Sequence, residues 1–284
     1  MFGLSSSPFM LRILSDLHFR DASSRLQKLA DLEPLLDGVE ELWLNGDTCD
    51  NQTGMTPAEV DEIRDFFLQR VPKVVFLTGN HDPDISTDHE ASTADGRIWA
   101  THGDAFLDNI VPWSRVRRDL VARMDQVRAA HPSLGFTSFE DRIWIMRMAC
   151  TGFAREVDPE QTDFLHRLLR LTTEFFPPQQ PWAMLRTWMT FADRVAATIP
   201  QWRPHAKVVV TGHVHFPRVW RRGPLTVVNT GAFTGPLGSY SVDYDREACV
   251  VRRLDQRDNR WHPGKTITTI QLASPSPSTV SSSA

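Results

Sequence analysis

Short aliphatic runs, each closing on a polar residue able to hold a metal, recur along the chain. Met10 to Ser15 leads into Asp16, and Glu41 to Asn45 leads into Gly46 and Asp47. Lys73 to Thr78 precedes Gly79, Asn80 and His81; Arg97 to Thr101 precedes His102; Ala206 to Thr211 precedes Gly212, His213 and His215. Their length and β-branched content read as strands whose ends carry the polar residues. Two intervening segments have helical spacing instead. Ala22 to Leu36 sets Leu26, Leu29, Ala30 and Leu36 on one face, and Pro57 to Gln69 does so with Val60, Ile63 and Phe67. Thr56 is placed as an N-cap, Pro57 at the first helical position and Glu59 to complete a capping box. Strand-helix alternation predicts an α/β architecture.

From Asp104 to Pro204 the texture changes to long helical stretches rich in Arg and Trp, broken at His131-Pro132, around Gly152, at Pro177-Pro178 and at Pro181. Residues 105–204 therefore read as a helical insertion. Beyond it, Leu225 to Thr230, Ser239 to Tyr244, Ala248 to Arg253 and Thr266 to Leu272 predict further strands. Residues 273–284 are almost wholly Ser, Pro, Thr and Ala, too poor in apolar surface to offset the entropy of ordering, and predict a disordered tail. A single domain over residues 1–272 is expected.

A formal charge of -4 over 284 residues argues against a globally basic nucleic-acid binder. Cys49, Cys150 and Cys249 are scattered, without paired spacing or the density of a disulfide scaffold, which points to a reducing cytoplasm. Neither a signal peptide over Met1 to Met10 nor a stretch of transmembrane length is read.

The chemistry lies in the strand-end residues. Asp16-Leu17-His18 spaces two ligand-capable side chains so that both turn to one side of an extended segment. Gly46 permits a tight turn that brings Asp47 close to an ion. Gly79-Asn80-His81-Asp82 packs an amide oxygen, an imidazole and a carboxylate behind one strand. Gly212-His213-Val214-His215 directs two imidazoles at one or two adjacent ions, and Thr101-His102-Gly103-Asp104 adds another. Singly, each is more often a turn or a structural histidine. Five in order, each after a predicted strand, point jointly to a metal centre.

This series resembles the calcineurin-like metallophosphoesterases, from about Met10 to Tyr244, with the insertion outside the shared pattern. The resemblance implies a four-layer α/β/β/α sandwich and two divalent ions. One would take Asp16, His18, Asp47 and His215; the second would take Asp47, Asn80, His102 and His213, with Asp47 bridging. Mixed N and O ligands suit Mn, Fe, Zn or Co, with Mn as the first expectation. His81 is expected as a nonligating residue that stabilises developing charge and gives a proton to the leaving oxygen, with Asp82 either orienting its ring or capping the local turn, the former slightly favoured. Asp50 and Cys49 are read as structural, and Asp104 stays open.

The expected activity is hydrolysis of a phosphate ester or pyrophosphate bond by metal-activated water. The His102 block followed by a helical insertion is similar to the branch containing UDP-2,3-diacylglucosamine hydrolase, which implies a UDP-sugar-lipid or nucleotide-like substrate and peripheral membrane contact. That branch carries Arg after the ligand Asn, where this chain has His81. Trp113, Arg115, Arg117, Arg118, Arg123, Arg128, Arg142, Trp144 and Arg147 give the insertion either a lid for an anionic substrate or, more commonly for such helices, a cover over core surface. The alternatives are a nucleotide phosphodiesterase or nuclease, and a catalytically silent scaffold that binds proteins; seven intact ligands oppose the latter.

Overall fold

The computed structural model describes residues 9–51, 54–114, 116–153 and 179–272. Arg115, most of the middle of the insertion and the 273–284 tail expected to be disordered lie outside them. The first half of the chain holds β1 (Leu11–Leu14), α1 (Glu33–Leu36), β2 (Glu41–Asn45), α2 (Pro57–Leu68), β3 (Lys73–Leu77), β4 (Glu90–Thr93) and β5 (Ile98–Thr101). The insertion contributes α3 (Arg117–Ala130), α4 (Phe139–Cys150) and α5 (Gln179–Trp202). There follow β6 (Val208–Thr211), β7 (Arg218–Arg222), β8 (Leu225–Asn229), β9 (Tyr240–Tyr244), β10 (Ala248–Arg257) and β11 (Arg260–Gln271).

The strands form two mixed sheets, one ordered β11-β10-β9-β1-β2-β3 and the other β4-β5-β6-β8-β7. The sequence explains why they stack. Along β2, Leu42 and Leu44 face a cluster containing Leu35, Ile63 and Phe67 of α1 and α2, while Trp43 faces the opposite way. Along β6, Val208 and Val210 point inward and Val209 points to the insertion helices. The inward set, with Leu11, Ile13, Trp43, Ile98, Val228 and Val242 from both sheets, fills the space between them. Each such buried aliphatic contributes about 1.5–3 kcal/mol relative to exposure. The result is α/β/β/α layering, with α3, α4 and α5 packed on the second sheet.

α2 begins as its residues dictate: Thr56 Oγ1 accepts from the Glu59 N–H at 3.3 Å, and Glu59 accepts from the Thr56 N–H at 2.8 Å. The helix expected over Ala22 to Leu36 is instead a bent segment ending in a 3-10 turn, Leu29–Leu32, and the short α1. Polar side chains there capture the backbone. The Asp21 carboxylate accepts from the Ser23 N–H, the Ser24 hydroxyl donates to Leu17 O, and the Arg25 N–H leaves for Phe233 O. The sequence does not predict β4 and β7. Both are edge strands with charged residues that hide the strand pattern. Among the described residues no helix is long and apolar enough to cross a membrane.

Candidate metal centre

β1, β2 and β3 are parallel in one sheet, as are β5, β6 and β8 in the other, so their C-terminal ends gather polar loops in one place. The loops hold unusual backbone: Asp16, Asp47, His213 and His215 have φ of 52°, 51°, 68° and 51°, and His18 has 46°. Left-handed conformation at five non-glycine residues costs free energy, and such strain clusters where side chains are aimed at a common point. Main-chain bonds hold the loops together, from the Asp16 N–H to Gly46 O at 3.0 Å and from the His18 N–H to Asp47 O at 2.9 Å.

Asp16, His18, Asp47 and His215 bring one ligand atom each within 4.8 Å of one another. His18 Nε2 lies 3.0 Å from His215 Nε2, and His215 Nε2 lies 3.2 Å from Asp16 Oδ1. Asp47, His102 and His213 form a second such group. His102 Nε2 is 3.2 Å from Asp47 Oδ2, from His213 Nδ1 and from Asn80 Oδ1, so Asn80 joins this group. Asp47 is common to both. Its Oδ1 accepts the His81 N–H at 2.8 Å, leaving Oδ2 between His102 and, at 3.7 Å, His18 Nε2.

Glycine is obligatory beside these carboxylates. A Cβ on Gly79 would lie 2.0 Å from Asp47 Oδ1, and one on Gly212 would lie 1.9 Å from Asp16 Oδ2. Ser15 donates to Asp16, and the His213 N–H donates to both Asp16 oxygens, at 2.9 and 3.1 Å.

The rings are turned by what holds their far nitrogens. His102 Nδ1 donates to Asn45 O at 3.1 Å, which aims Nε2 inward. His213 Nε2 donates to Ile110 O at 2.7 Å, which aims Nδ1 inward. His215 Nδ1 is 3.4 Å from Thr234 Oγ1. Burial and the neighbouring His81 lower His18 to about 3, and burial with His102 lowers His213 to about 4, so both imidazoles present lone pairs near neutrality. Burial opposes ionisation of Asp47, but His102 and His81 outweigh it and hold the carboxyl well below its ordinary range. Burial also works against charge on His102, yet Asp47 lifts it to about 10. Buried carboxylates, imidazoles and an amide oxygen converging on two points match the donor set of divalent cations, and the residues present could hold two.

His81 is buried beside the first group, its ring centroid 4.8 Å from that of His18 and edge-on to it. The expected orienting role of Asp82 needs correction. The Asp82 carboxylate accepts the N–H groups of Asp47 at 2.9 Å, Thr48 at 2.7 Å, Cys49 at 3.3 Å and Gly79 at 2.8 Å, which stitches the two ligand loops together. Burial, then Asp47, pushes it up to about 7 against the pull of those amides. The carboxylate beside His81 is Asp50, whose Oδ1 lies 3.3 Å from Nδ1. Its position three residues after Asp47 was the available signal, and no periodicity marks it.

The insertion braces the centre, a function its sequence did not reveal. Arg147 of α4 is buried, not presented to a ligand: it donates to Thr78 Oγ1 at 2.7 Å, Thr78 O at 2.9 Å and the Asp104 carboxylate, joining the loops of Asn80 and His102. Trp188 of α5 donates to Val214 O at 2.8 Å, inside the His213 to His215 loop. Trp113 packs its ring 5.4 Å from that of His213. Arg142 binds Asp108 at 3.0 Å and lies over Phe136, a covering role.

Structures resembling this one include Vacuolar Protein Sorting 29 from Cryptosporidium parvum, at 14% identity and TM-score 0.43, covering 93% of this chain and 98% of that one. A predicted phosphoesterase from Streptococcus pneumoniae has 15% identity and TM-score 0.39, covering 93% and 98%. A dimetal phosphatase from Danio rerio has 13% identity and TM-score 0.43, covering 94% and 99%. No curated protein matches the chain. The calcineurin-like phosphoesterase family model, however, matches residues 11–217, a span that opens on β1 and closes just after His213 and His215, and by that match the chain belongs to the calcineurin-like phosphoesterases.

Proposed function

We propose that the chain hydrolyses a phosphoric ester or anhydride bond with two divalent cations. One is held by Asp16, His18, Asp47 and His215, the other by Asp47, Asn80, His102 and His213. The observation that carries this reading is the position of Asp47 Oδ2, 3.2 Å from His102 Nε2 and 3.7 Å from His18 Nε2, a bridging carboxylate between two ligand groups. Two such ions, when bound, would supply Lewis acidity toward phosphoryl oxygens and would lower the pKa of the attacking water. Mn is the first cation to test.

The protein's own part is positioning and proton transfer. In-line attack by water forms one P–O bond and breaks another, and the departing oxygen needs a proton. His81, packed against His18, supplies it, with the Asp50 carboxylate 3.3 Å from its Nδ1 to favour the protonated ring. Asp82 keeps the Asp47 and Asn80 loops at fixed separation. Trp182, Leu185 and Met189 expose one apolar side of α5, which favours a substrate with an apolar part, such as a lipid-linked pyrophosphate, over a free nucleotide. The test is hydrolysis of a chromogenic monoester and diester with added Mn by wild type, His81→Ala and Asp47→Asn. Absence of metal-dependent turnover of any phosphorylated compound by wild type overturns the reading.

A further inference from the structure

Each of the two ligand groups draws on both sheets. The first takes His215 from the loop after β6 to meet Asp16, His18 and Asp47, and the second takes His102 and His213 to meet Asp47 and Asn80. The alignment of the sheets at their C-terminal ends is therefore a dimension of the centre. The aliphatic packing between them holds the faces together but, being non-directional, specifies little about how the strand ends line up.

On the His102 side, directional bonds between the sheets converge on one residue. Asn45 closes β2, two residues after Trp43 and on the same inward side, and is fully buried. Its side-chain amide crosses to the second sheet, donating to Thr101 O of β5 at 3.0 Å and to Val210 O of β6 at 3.3 Å. Its own carbonyl accepts His102 Nδ1 at 3.1 Å. Gly46 completes the seat, since a Cβ there would lie 2.5 Å from His102 Nδ1. Asp47 follows, with Oδ2 3.2 Å from His102 Nε2. Three consecutive residues thus hold one imidazole.

A buried asparagine at a strand end is most often there to satisfy stray carbonyls. Two features of Asn45 go further. All three bonds end on His102 itself or on the strands that lead into His102 and His213. Its Oδ1, moreover, has no hydrogen-bond partner among the described residues, a cost that an aliphatic side chain continuing the apolar run of β2 would avoid.

We propose that Asn45 is a positioning residue for the second ion, holding His102 where it can share a cation with Asp47, Asn80 and His213. The assignment rests on the two-ion reading above. The first ion's alignment across the sheets runs through other bonds, from Ser15 to Thr230 and from the His213 N–H to Asp16 at 2.9 Å. Loss of the Asn45 amide therefore frees the Thr101-His102 segment from β2 and weakens the second ion selectively.

Asn45→Leu is the first variant, apolar like its neighbours and still offering its main-chain carbonyl to His102. Asn45→Ser is the second, keeping a hydroxyl too short to reach both carbonyls. Mn is titrated into metal-free full-length protein. Paramagnetic resonance counts the free ion, and spin coupling between neighbouring bound ions reports the filled pair. His102→Gln identifies which dissociation constant belongs to the second ion. In both Asn45 variants that constant rises about ten- to a hundredfold, the usual loss when a group orienting a ligand is removed, while the constant of the first ion stays at its wild-type value. The coupled spectrum then appears only at correspondingly higher Mn. A merely structural role would lower Tm and leave the ratio of the two constants in place. Wild type that binds two Mn, with the same ratio of constants in whichever variant folds, overturns the proposal alone. Wild type that binds fewer than two overturns the two-ion reading, and the proposal with it.

Discussion

Arg147 and Asp104 form a wholly buried ion pair between the insertion and the loop that follows His102, with the second Arg147 nitrogen 3.2 Å from Asp104 Oδ1. Burial opposes ionisation of Asp104, but Arg147 overcomes it and holds the carboxyl well below its ordinary range. Arg147→Ala is expected to cost about 3–5 kcal/mol, because it strands a buried carboxylate and two groups on Thr78. Urea denaturation measures this. The sign with pH follows from the depressed carboxyl: the pair's contribution is complete above the unfolded-state value near 4 and fades as pH falls below it. A stability difference between wild type and Arg147→Ala that is unchanged on acidification would contradict the assignment.

Metal uptake should release protons. His102 retains a proton in the metal-free chain, being raised to about 10 by Asp47 beside it, and a ligand nitrogen must give that proton up. Affinity therefore rises with pH up to about 10, and uptake at pH 8 expels a proton from His102. Calorimetry in two buffers of different ionisation heat detects it. His102→Gln removes the buffer dependence and weakens the second ion.

His81→Ala is expected to lower kcat by about 10²–10⁴ for esters with poor leaving groups, and by less for 4-nitrophenyl esters, whose leaving oxygen needs no proton. Metal content should stay at the wild-type level. Asp50→Asn should fall between the two and displace the acidic or basic limb of the pH–rate profile, which a purely structural role would leave in place. Equal losses on both leaving groups would exclude proton donation.

Gly212→Ala puts a methyl 1.9 Å from Asp16 Oδ2 and should abolish occupancy by the ion that Asp16 serves, read by elemental analysis. Gly38 is the control. It has φ of 69° with nothing near its would-be Cβ, so Gly38→Ala should cost only the left-handed penalty, about 1–2 kcal/mol, and leave metal content intact.

Period and punctuation exposed much of this in the sequence. Val208, Val209 and Val210, followed by Thr211 and Gly212, read as a strand ending in a ligand loop because aliphatics and glycine act locally. The Thr56-Pro57-Glu59 start was equally legible. Ala22 to Leu36 was not, because its helical spacing lost to hydroxyl and carboxylate groups of Asp21, Ser23 and Ser24 bonding nearby backbone. Of the two roles open to Asp82, capping nearby backbone holds rather than orienting His81, and its reach to the Asp47, Thr48 and Cys49 amides is not legible because they become neighbours only after β2 and β3 pair. Arg147 looked like a surface cation for the same reason: its acceptors lie 43 and 69 residues away.

The Ile110 carbonyl that turns His213 has a consequence for how this protein changes over time. Every amino acid carries that oxygen, so no side-chain replacement at position 110 deletes the contact, and no comparison of residue identities would disclose it. What would break it is a change in chain path, such as one residue gained or lost between Gly103 and Trp113. Tolerance to mutation and intolerance to indels thus coincide in this stretch, and a deep library of length variants there would map it more sharply than substitutions.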